Sequence, residues 1–245
     1  MTKTRRELEI MRRAGRIVAG LLKRMEETAR PGVTTGELDR VAEAFVREKG
    51  AEPAFKGYRG YPATICASVN EEVVHGIPGK RVLREGDIIG IDVGVKLEGY
   101  FSDAARTFAI DGVDEADRRL IETAREALKR GIGQAVAGNR IGDISSAVQT
   151  YAEAQGFSVV RQYVGHGIGR DLHEEPQVPN FGKPNQGMVL EEGMTLAIEP
   201  MLTAGGHEVE TLSDGWTVVT KDRTRSSHFE NTVFVGKKKA EVVTE

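Results

Sequence analysis

The sequence has little of several residue types that define common protein classes. Its 245 residues include one cysteine and one tryptophan. A single cysteine cannot close an intramolecular disulfide or build a thiolate zinc site, so any bound metal needs histidines and carboxylates. No apolar run approaches the roughly 18 residues of a membrane span, and the N-terminus has no signal-peptide core. We therefore expect a cytoplasmic protein without membrane contact.

Charge of one sign is also scarce. The chain has 34 Lys plus Arg against 37 Asp plus Glu, for a net charge of -3. Recognition of phosphates requires a concentrated basic face, so no direct nucleic-acid site is expected. With 39% hydrophobic and 29% charged residues, the chain can bury a core, which excludes disorder. Glycine is abundant instead, with 29 residues.

Hydrophobic periodicity predicts four helices in two pairs. The first pair covers Leu8 to Met25 and the segment from the capping-box sequence Thr34-Thr-Gly-Glu37 to Gly50. The second pair begins near Asp114 and continues from Asp143 to Gln155. Between the pairs, β-rich runs from Asp87 to Lys96 and from Tyr100 to Ile110 indicate a hairpin. Strands and loops are expected after the fourth helix.

An internal repeat bears on the number of domains. Leu83-Arg-Glu-Gly86 with Ile91-Asp92 matches Leu190-Glu-Glu-Gly193 with Ile198-Glu199 at an offset of 107 residues. A second set of glycines and apolar residues, from Gly32 to Gly50, matches a later set at an offset of 106. We expect a single domain over 1–245, with pseudo-symmetric halves at about 1–112 and 113–245.

Four carboxylates lie in apolar segments that we expect to be four strands: Asp92, Asp103, Glu199 and Glu230. Burying them together is unfavourable unless cations neutralise them, and two divalent ions would do so. Asp92 and Asp103 share a hairpin face if paired residue numbers sum to 195, which places them opposite, or to 197, which places them diagonally. The alternative is that each pairs with an arginine such as Arg106.

Three of the five histidines lie in glycine- or proline-rich segments: His75, His166 and His173. The glycines around His166 do not have phosphate-loop spacing, and His173-Glu174 lacks the second histidine of a zinc-protease helix. No Gly-x-Ser-x-Gly elbow occurs, which disfavours a serine hydrolase. For His207 and His228, surface or pocket-lining roles are the default expectation.

Several strings, taken together, resemble methionine aminopeptidase of type I. They are His75-Gly-Ile-Pro, Ile91-Asp92, Ser102-Asp103, Gly165-His-Gly-Ile-Gly169, His173-Glu-Glu-Pro176, Ile198-Glu-Pro-Met201 and Glu230-Asn-Thr232. The resemblance covers nearly the whole chain. It implies the α/β (α+β) pita-bread fold, a curved antiparallel sheet backed by helix pairs in two pseudo-symmetric halves, which agrees with the repeat.

The resemblance also implies a site. It assigns two divalent metal ions (Co, Mn, Fe or Zn) to Asp92, Asp103, His166, Glu199 and Glu230. Glu199 is expected to move the proton of the attacking water, while His75 and His173 contact the substrate. The methionine side chain is assigned to a pocket made by Phe55, Tyr58, Tyr61, Cys66, Leu172, Met201, Trp216 and His228; Phe55, Leu172 and His228 depart from well-known members.

The activity implied is removal of N-terminal methionine when the next residue is small. Its partners would be nascent polypeptide N-termini beginning with Met, with the ribosome as a further candidate, and the chain is expected to be a monomer. Two alternatives stay open. One is a proline-specific metallopeptidase of the same fold, and the other is a non-enzymatic homologue that binds peptides or ribosomes.

Overall fold

The computed structural model describes residues 2–245. Its four α-helices are α1 (Arg5–Thr28), α2 (Thr35–Glu48), α3 (Glu115–Gly133) and α4 (Ile141–Ala154). The predicted helix pairs are therefore present, with ends that differ by a few residues. The capping box at α2 forms as its sequence indicates, because the Thr34 side chain accepts from the Glu37 N–H while the Glu37 carboxylate accepts from the Thr34 N–H.

The strands are short except for one hairpin. In chain order they are β1 (Glu52–Pro53), β2 (Ile65–Val69), β3 (Glu72–Val74), β4 (Ile88–Leu97), β5 (Tyr100–Ala109), β6 (Ser158–Val159), β7 (Gly165–Gly167), β8 (Glu174–Val178), β9 (Thr195–Ile198), β10 (Met201–Thr203), β11 (Val209–Thr211), β12 (Val218–Thr220), β13 (Ser226–His228), β14 (Asn231–Phe234) and β15 (Glu241–Val242). A short 3-10 turn covers Tyr58–Gly60.

These strands form two larger and two smaller antiparallel sheets. One sheet has β4 at its centre, with β5 on one side and β1 and β2 on the other. A five-stranded sheet has the order β15-β14-β9-β7-β8. Hydrogen bonds from the Asp103 N–H to Thr232 Oγ1 (3.1 Å) and from the Glu230 N–H to the Ala105 carbonyl (2.9 Å) join the two at β5 and β14. The smaller sheets have the orders β13-β10-β6 and β11-β12-β3.

Each larger sheet is backed by a helix pair. Apolar residues of α1 and α2 pack on β2 and β4, whereas those of α3 and α4 pack on β9 and β14. This is the mixed α/β architecture with antiparallel sheets that the sequence predicts. No helix within residues 2–245 is long and apolar enough to cross a membrane.

A backbone hydrogen bond at the start of the second helix of each pair, α2 and α4, occurs in both halves. The Gly36 N–H donates to the Gly79 carbonyl at 2.8 Å, and the Gly142 N–H donates to the Gln186 carbonyl at 2.9 Å. A Cβ at Gly36 or Gly142 would lie 2.9 or 2.3 Å from a backbone carbonyl oxygen. The matched residues Gly86 and Gly193 have φ of 83° and 86°. The repeat therefore reflects shared backbone requirements, which account for part of the glycine content.

Candidate metal centre and active site

The β4–β5 hairpin places the first two carboxylates. Glu98 and Gly99 form a two-residue turn with φ of 48° and 83°, which joins the strands directly. The resulting register pairs Asp92 with Ala105 and Gly94 with Asp103. Paired residue numbers therefore sum to 197. The two aspartates are diagonal neighbours on one face, the second of the two predicted registers.

The two glutamates come from the neighbouring sheet. Glu199 directly follows β9, and Glu230 directly precedes β14. The expectation that all four carboxylates lie within strands is therefore wrong for these two, because each strand ends next to the carboxylate. β9 and β14 pair through Ile198 and Asn231, so Glu199 and Glu230 emerge at the same end of the ladder.

His166 provides the only nitrogen donor in the metal-ligand cluster found among residues 2–245. Its Nε2 lies 3.5 Å from Glu199 Oε1 and 3.7 Å from Asp103 Oδ2. Its Nδ1 lies 2.9 Å from the Gly167 carbonyl, and a proton donated there leaves Nε2 free to bind a metal. A Cβ at Gly165 or Gly167 would lie 2.4 or 2.2 Å from a carbonyl oxygen of an adjacent strand. These glycines let the backbone pack closely around the imidazole.

Burial dominates the electrostatics of this cluster. It raises the pKa of Asp92, Glu199 and Glu230 well above their ordinary values, and neighbouring carboxylates raise each pKa further. Burial also raises the pKa of Asp103, to about 6, although the hydroxyl of Thr232 opposes the shift. Burial lowers the pKa of His166 to about 4, so its imidazole is neutral at pH 7.

The donor set fits divalent metal ions. Donor atoms of Asp103, His166 and Glu230 all lie within 4.8 Å of one another. Asp92 Oδ1 is buried and has no hydrogen-bond partner within the described part of the chain, which is costly unless a cation binds there. Carboxylate oxygens with one imidazole suit Mn, Fe, Co or Zn.

Arg106 does not neutralise these carboxylates by ion pairing, so that alternative is wrong. Its Nη1 donates to the backbone carbonyl of Glu230, and its Nη2 donates to Asn231 Oδ1 at 2.7 Å. None of the four carboxylates forms a salt bridge with an arginine or lysine anywhere in residues 2–245. The acidic cluster therefore retains its need for cations.

The other two predicted histidines line the cavity beside this cluster. His173 lies against His166, with ring centroids 4.3 Å apart, and its Nδ1 is 2.8 Å from the Tyr58 hydroxyl. His75 has a φ of 60° and makes edge contacts with Tyr163 and Trp216. Burial lowers the pKa of both histidines to about 4, so both are neutral at pH 7. A non-glycine residue with positive φ at a cavity is typical of a functional position.

The cavity has a volume of about 310 Å³, which is at the small end for ligand sites. All four carboxylates and His166 contribute to its lining. It contains most of the predicted pocket residues, namely Phe55, Tyr58, Tyr61, Cys66, Leu172 and Trp216. The sequence analysis did not identify Arg59, Val74, Gln162, Tyr163 and Val164, which also line it. Arg59 follows Tyr58 and Val74 precedes His75 in the sequence, and this adjacency to identified residues is the signal that could have found them.

Met201 and His228 do not line this cavity. They are register partners on β10 and β13, and Met201 is fully buried among Val73, Val74 and Val218. His228 is also buried, with its Nε2 3.6 Å from Glu199 Oε2. Both residues therefore lie behind Val74 and Glu199, which line the cavity.

Taken together, a buried acidic cluster with one neutral imidazole and an adjoining aromatic cavity define a metal-dependent hydrolase. Comparison with known proteins makes this assignment specific. The model of metallopeptidase family M24 matches residues 9–237, so the chain belongs to that family. The pita-bread fold of this family is thereby confirmed for the chain.

Individual relatives agree with this assignment. The chain is 52% identical over 242 residues to methionine aminopeptidase 1 of Bacillus subtilis, covering 99% of this chain and 98% of that protein. It superposes on the crystal structure of a methionine aminopeptidase from Thermotoga maritima with a TM-score of 0.99 and 44% identity, covering 100% and 99% of the two chains. A prolidase from Pyrococcus horikoshii is similar with a TM-score of 0.81 at 22% identity, covering 100% of this chain and 63% of that one; this similarity shows the fold alone. The predicted resemblance to methionine aminopeptidases is confirmed.

Proposed function

We propose that this chain removes the N-terminal methionine from polypeptides whose second residue is small. The proposal rests on one observation. The five metal-donor residues adjoin a small aromatic cavity in a chain 52% identical to a methionine aminopeptidase over almost its whole length. Prolidases share the fold at lower identity, and nothing in the cavity favours a proline-specific site over a methionine site.

We further propose how the chain is organised and where it acts. Residues 1–245 form one catalytic domain, which the hydrogen bonds between β5 and β14 support because they join the two halves at the site. Its substrates are nascent chains, so we place the protein in the cytoplasm, as a monomer that meets its substrates near the ribosome.

Asp92, Asp103, His166, Glu199 and Glu230 would hold two divalent ions. When bound, such ions lower the pKa of water towards neutrality and polarise a carbonyl group. Glu199 lines the cavity. When divalent ions compensate the negative charge of the cluster, its carboxylate is deprotonated. It accepts the proton of the attacking water and delivers that proton to the departing amine.

His173 and His75 act on opposite parts of the scissile peptide. The Tyr58 hydroxyl lies 2.8 Å from His173 Nδ1. We assign the hydroxyl as the donor, which leaves the hydrogen of the neutral ring on Nε2. Nε2 then donates to the carbonyl oxygen as negative charge develops there. His75, held between Tyr163 and Trp216, contacts the amide nitrogen that becomes the leaving amine.

The methionine side chain occupies the apolar part of the cavity. Phe55, Tyr61, Cys66, Leu172 and Trp216 supply its walls. Tyr61 is fixed because its hydroxyl lies 3.0 Å from the carbonyls of Ile65 and Gly76. Met201 and His228 lie behind Val74 and Glu199 and do not touch the side chain.

The test is methionine release by chelator-treated protein supplied with Mn, Fe, Co or Zn. Met-Ala-Ser should release methionine with at least one metal, whereas Met-Lys-Ser should not. A His207→Ala variant, which changes a histidine outside the cavity, should retain full activity and serves as the control.

Other outcomes would select the alternatives. Cleavage of x-Pro peptides without release from Met-Ala-Ser would identify a proline-specific peptidase. Peptide binding without release under any of the four metals would identify a binding homologue.

A further inference from the structure

The segment that contains β15 packs against β14, the strand that directly follows the proposed metal ligand Glu230. β15 pairs with β14 through Val242 opposite Val233, and the Val243 N–H then donates to the Thr232 carbonyl at 3.1 Å. Thr244 follows and is only 1% exposed. A buried hydroxyl requires partners, so its contacts are informative.

Thr244 Oγ1 lies between two consecutive residues of β14. It donates to Asn231 Oδ1 at 2.8 Å, and it accepts from the Thr232 N–H at 3.2 Å. A hydroxyl has one hydrogen and two lone pairs, so both contacts can form at once. No aliphatic side chain of the same shape can make either contact.

The two partners of Thr244 are connected to two proposed metal ligands, Asn231 through Arg106 to Glu230 and Thr232 directly to Asp103. Asn231 Oδ1 also accepts from Arg106 Nη2 at 2.7 Å, and Arg106 Nη1 donates to the Glu230 carbonyl. Thr232 Oγ1 lies 3.0 Å from Asp103 Oδ1 and 2.9 Å from the Asp103 carbonyl. The Thr244 hydroxyl therefore directly contacts Thr232, which bonds to Asp103, and it is connected through Asn231 to Arg106, which bonds to the Glu230 carbonyl.

We propose that Thr244 is a positioning residue for the metal centre, acting on Glu230 through Asn231 and Arg106 and on Asp103 through Thr232. The proposal depends on the proposed function, since it assumes that these carboxylates bind metal. Partners of metal ligands set the orientation of those ligands, and losing one typically weakens metal binding by about 10- to 100-fold. The sequence between 232 and 244 gives no sign of this connection.

The segment has a second attachment that supplies a matched control. Glu241 pairs with Arg12 of α1 at 2.6 Å, and both side chains are partly exposed. Glu241→Gln weakens the attachment of the segment but leaves the Thr244 hydroxyl in place. It therefore separates general loosening of the segment from loss of the hydroxyl.

The experiment measures metal binding rather than peptide cleavage. Calorimetric titration of the metal-free protein with Co²⁺ gives the affinity, and the visible absorption of bound Co²⁺ reports the ligand geometry. We expect Thr244→Val to weaken binding by roughly tenfold or more and to change the spectrum. Thr244→Ser, which restores the hydroxyl, and Glu241→Gln should each match the wild-type affinity and spectrum.

Two outcomes would overturn the proposal. One is wild-type affinity and spectrum in Thr244→Val. The other is an equal loss of affinity in Glu241→Gln, which would make Thr244 only part of a packing element. If Thr244→Val does not fold, as judged by circular dichroism, the smaller Thr244→Ala variant replaces it. Because the readout is metal binding, failure of the proposed function would appear separately, as tight Co²⁺ binding without methionine release.

Discussion

The hydroxyl of Tyr58 lies 2.8 Å from Nδ1 of His173. The short turn that carries Tyr58 is closed by hydrogen bonds from the Tyr58 N–H to the Phe55 carbonyl and from the Gly57 N–H to the Tyr61 carbonyl. These bonds fix the backbone from which the phenol extends. A donor fixed at Nδ1 keeps the ring hydrogen on Nε2, where a substrate carbonyl can accept it.

Tyr58→Phe should lower kcat by about tenfold while changing KM much less. The variant keeps the aromatic ring in the cavity wall, but the His173 ring can then adopt either tautomer. In part of the protein population Nε2 therefore has no hydrogen to donate to the substrate carbonyl. Steady-state kinetics on Met-Ala-Ser would measure both constants. Tyr163→Phe is the control, because it removes a hydroxyl from the same cavity without contacting His173. An unchanged kcat in Tyr58→Phe would show that this hydrogen bond has no role in the reaction.

Glu199→Gln should reduce kcat by about 10² to 10⁴, because the amide has the shape of the carboxylate but cannot accept a proton. The same variant should melt at a higher temperature than the wild type when both are metal-free. Its carboxyl group is buried beside Asp92 and Asp103, so the metal-free wild type must either bury a charge there or bind a proton, and the amide avoids this cost. Kinetics and thermal melts of chelator-treated protein would check the two effects. Substantial remaining turnover would exclude Glu199 as the general base.

The local features of the fold could be predicted from the sequence because their determinants are close together in the chain. The capping box of α2 needs only Thr34 and Glu37, and the helix pairs follow from apolar periodicity. The hairpin was also predictable, but its register was not. The choice between sums of 195 and 197 depends on which two residues form the turn. A sum of 195 would place Leu97-Glu98 there, whereas the structure places Glu98-Gly99 there, with φ of 48° and 83°.

Residues whose partners are distant in the chain could not be assigned from sequence. Arg106 was a reasonable ion-pair partner for Asp92, yet its hydrogen bonds reach Glu230 and Asn231, more than 120 residues away. Met201 is two residues from Glu199 in the sequence, but its side chain on β10 packs in a separate apolar cluster. Local sequence indicates which residue types are present, whereas tertiary packing decides what each one contacts.

The stability of the metal-free protein should fall as pH rises from 7 to 9. Burial raises the pKa of Asp92, Glu199 and Glu230 well above their ordinary values. Above pH 7 all three are ionised in the unfolded chain, so each one that keeps its proton in the folded state gives the folded state an extra bound proton. Each extra proton lowers the free energy of unfolding by about 1.4 kcal/mol per pH unit of increase. The cavity histidines do not contribute above pH 7, because their pKa values are lowered and they are neutral in both states.

Thermal melts of chelator-treated protein at pH 7, 8 and 9 would measure this dependence. Adding Mn²⁺ should raise the melting temperature by more at pH 9 than at pH 7, because the ion competes with protons for the same oxygens. Glu230→Gln removes one of the titrating groups and should reduce the slope. A melting temperature that is constant or rises with pH in the metal-free wild type would contradict the assigned shifts.

Two glycines of α3 should respond to alanine with opposite signs. A Cβ at Gly131 would lie 2.9 Å from a methyl of Val148 and 3.3 Å from one of Ile198, and the residue is buried. Gly131→Ala should therefore lower the free energy of unfolding by about 1 to 3 kcal/mol through overpacking. Gly133 is exposed at the end of the same helix, and a Cβ there would meet nothing within 4 Å. Gly133→Ala should raise the free energy of unfolding by up to about 1 kcal/mol, since alanine loses less backbone entropy on folding.

Urea denaturation of the metal-free protein would measure both changes, with equal m-values showing that the unfolded states are comparable. Because Ile198 directly precedes Glu199, Gly131→Ala should also weaken metal binding, whereas Gly133→Ala should leave it unchanged. If both substitutions stabilised the protein, the close packing of α3 on α4 and β9 would be wrong at this point. If both destabilised it, the open space at Gly133 would be wrong instead, so each half of the prediction can fail independently.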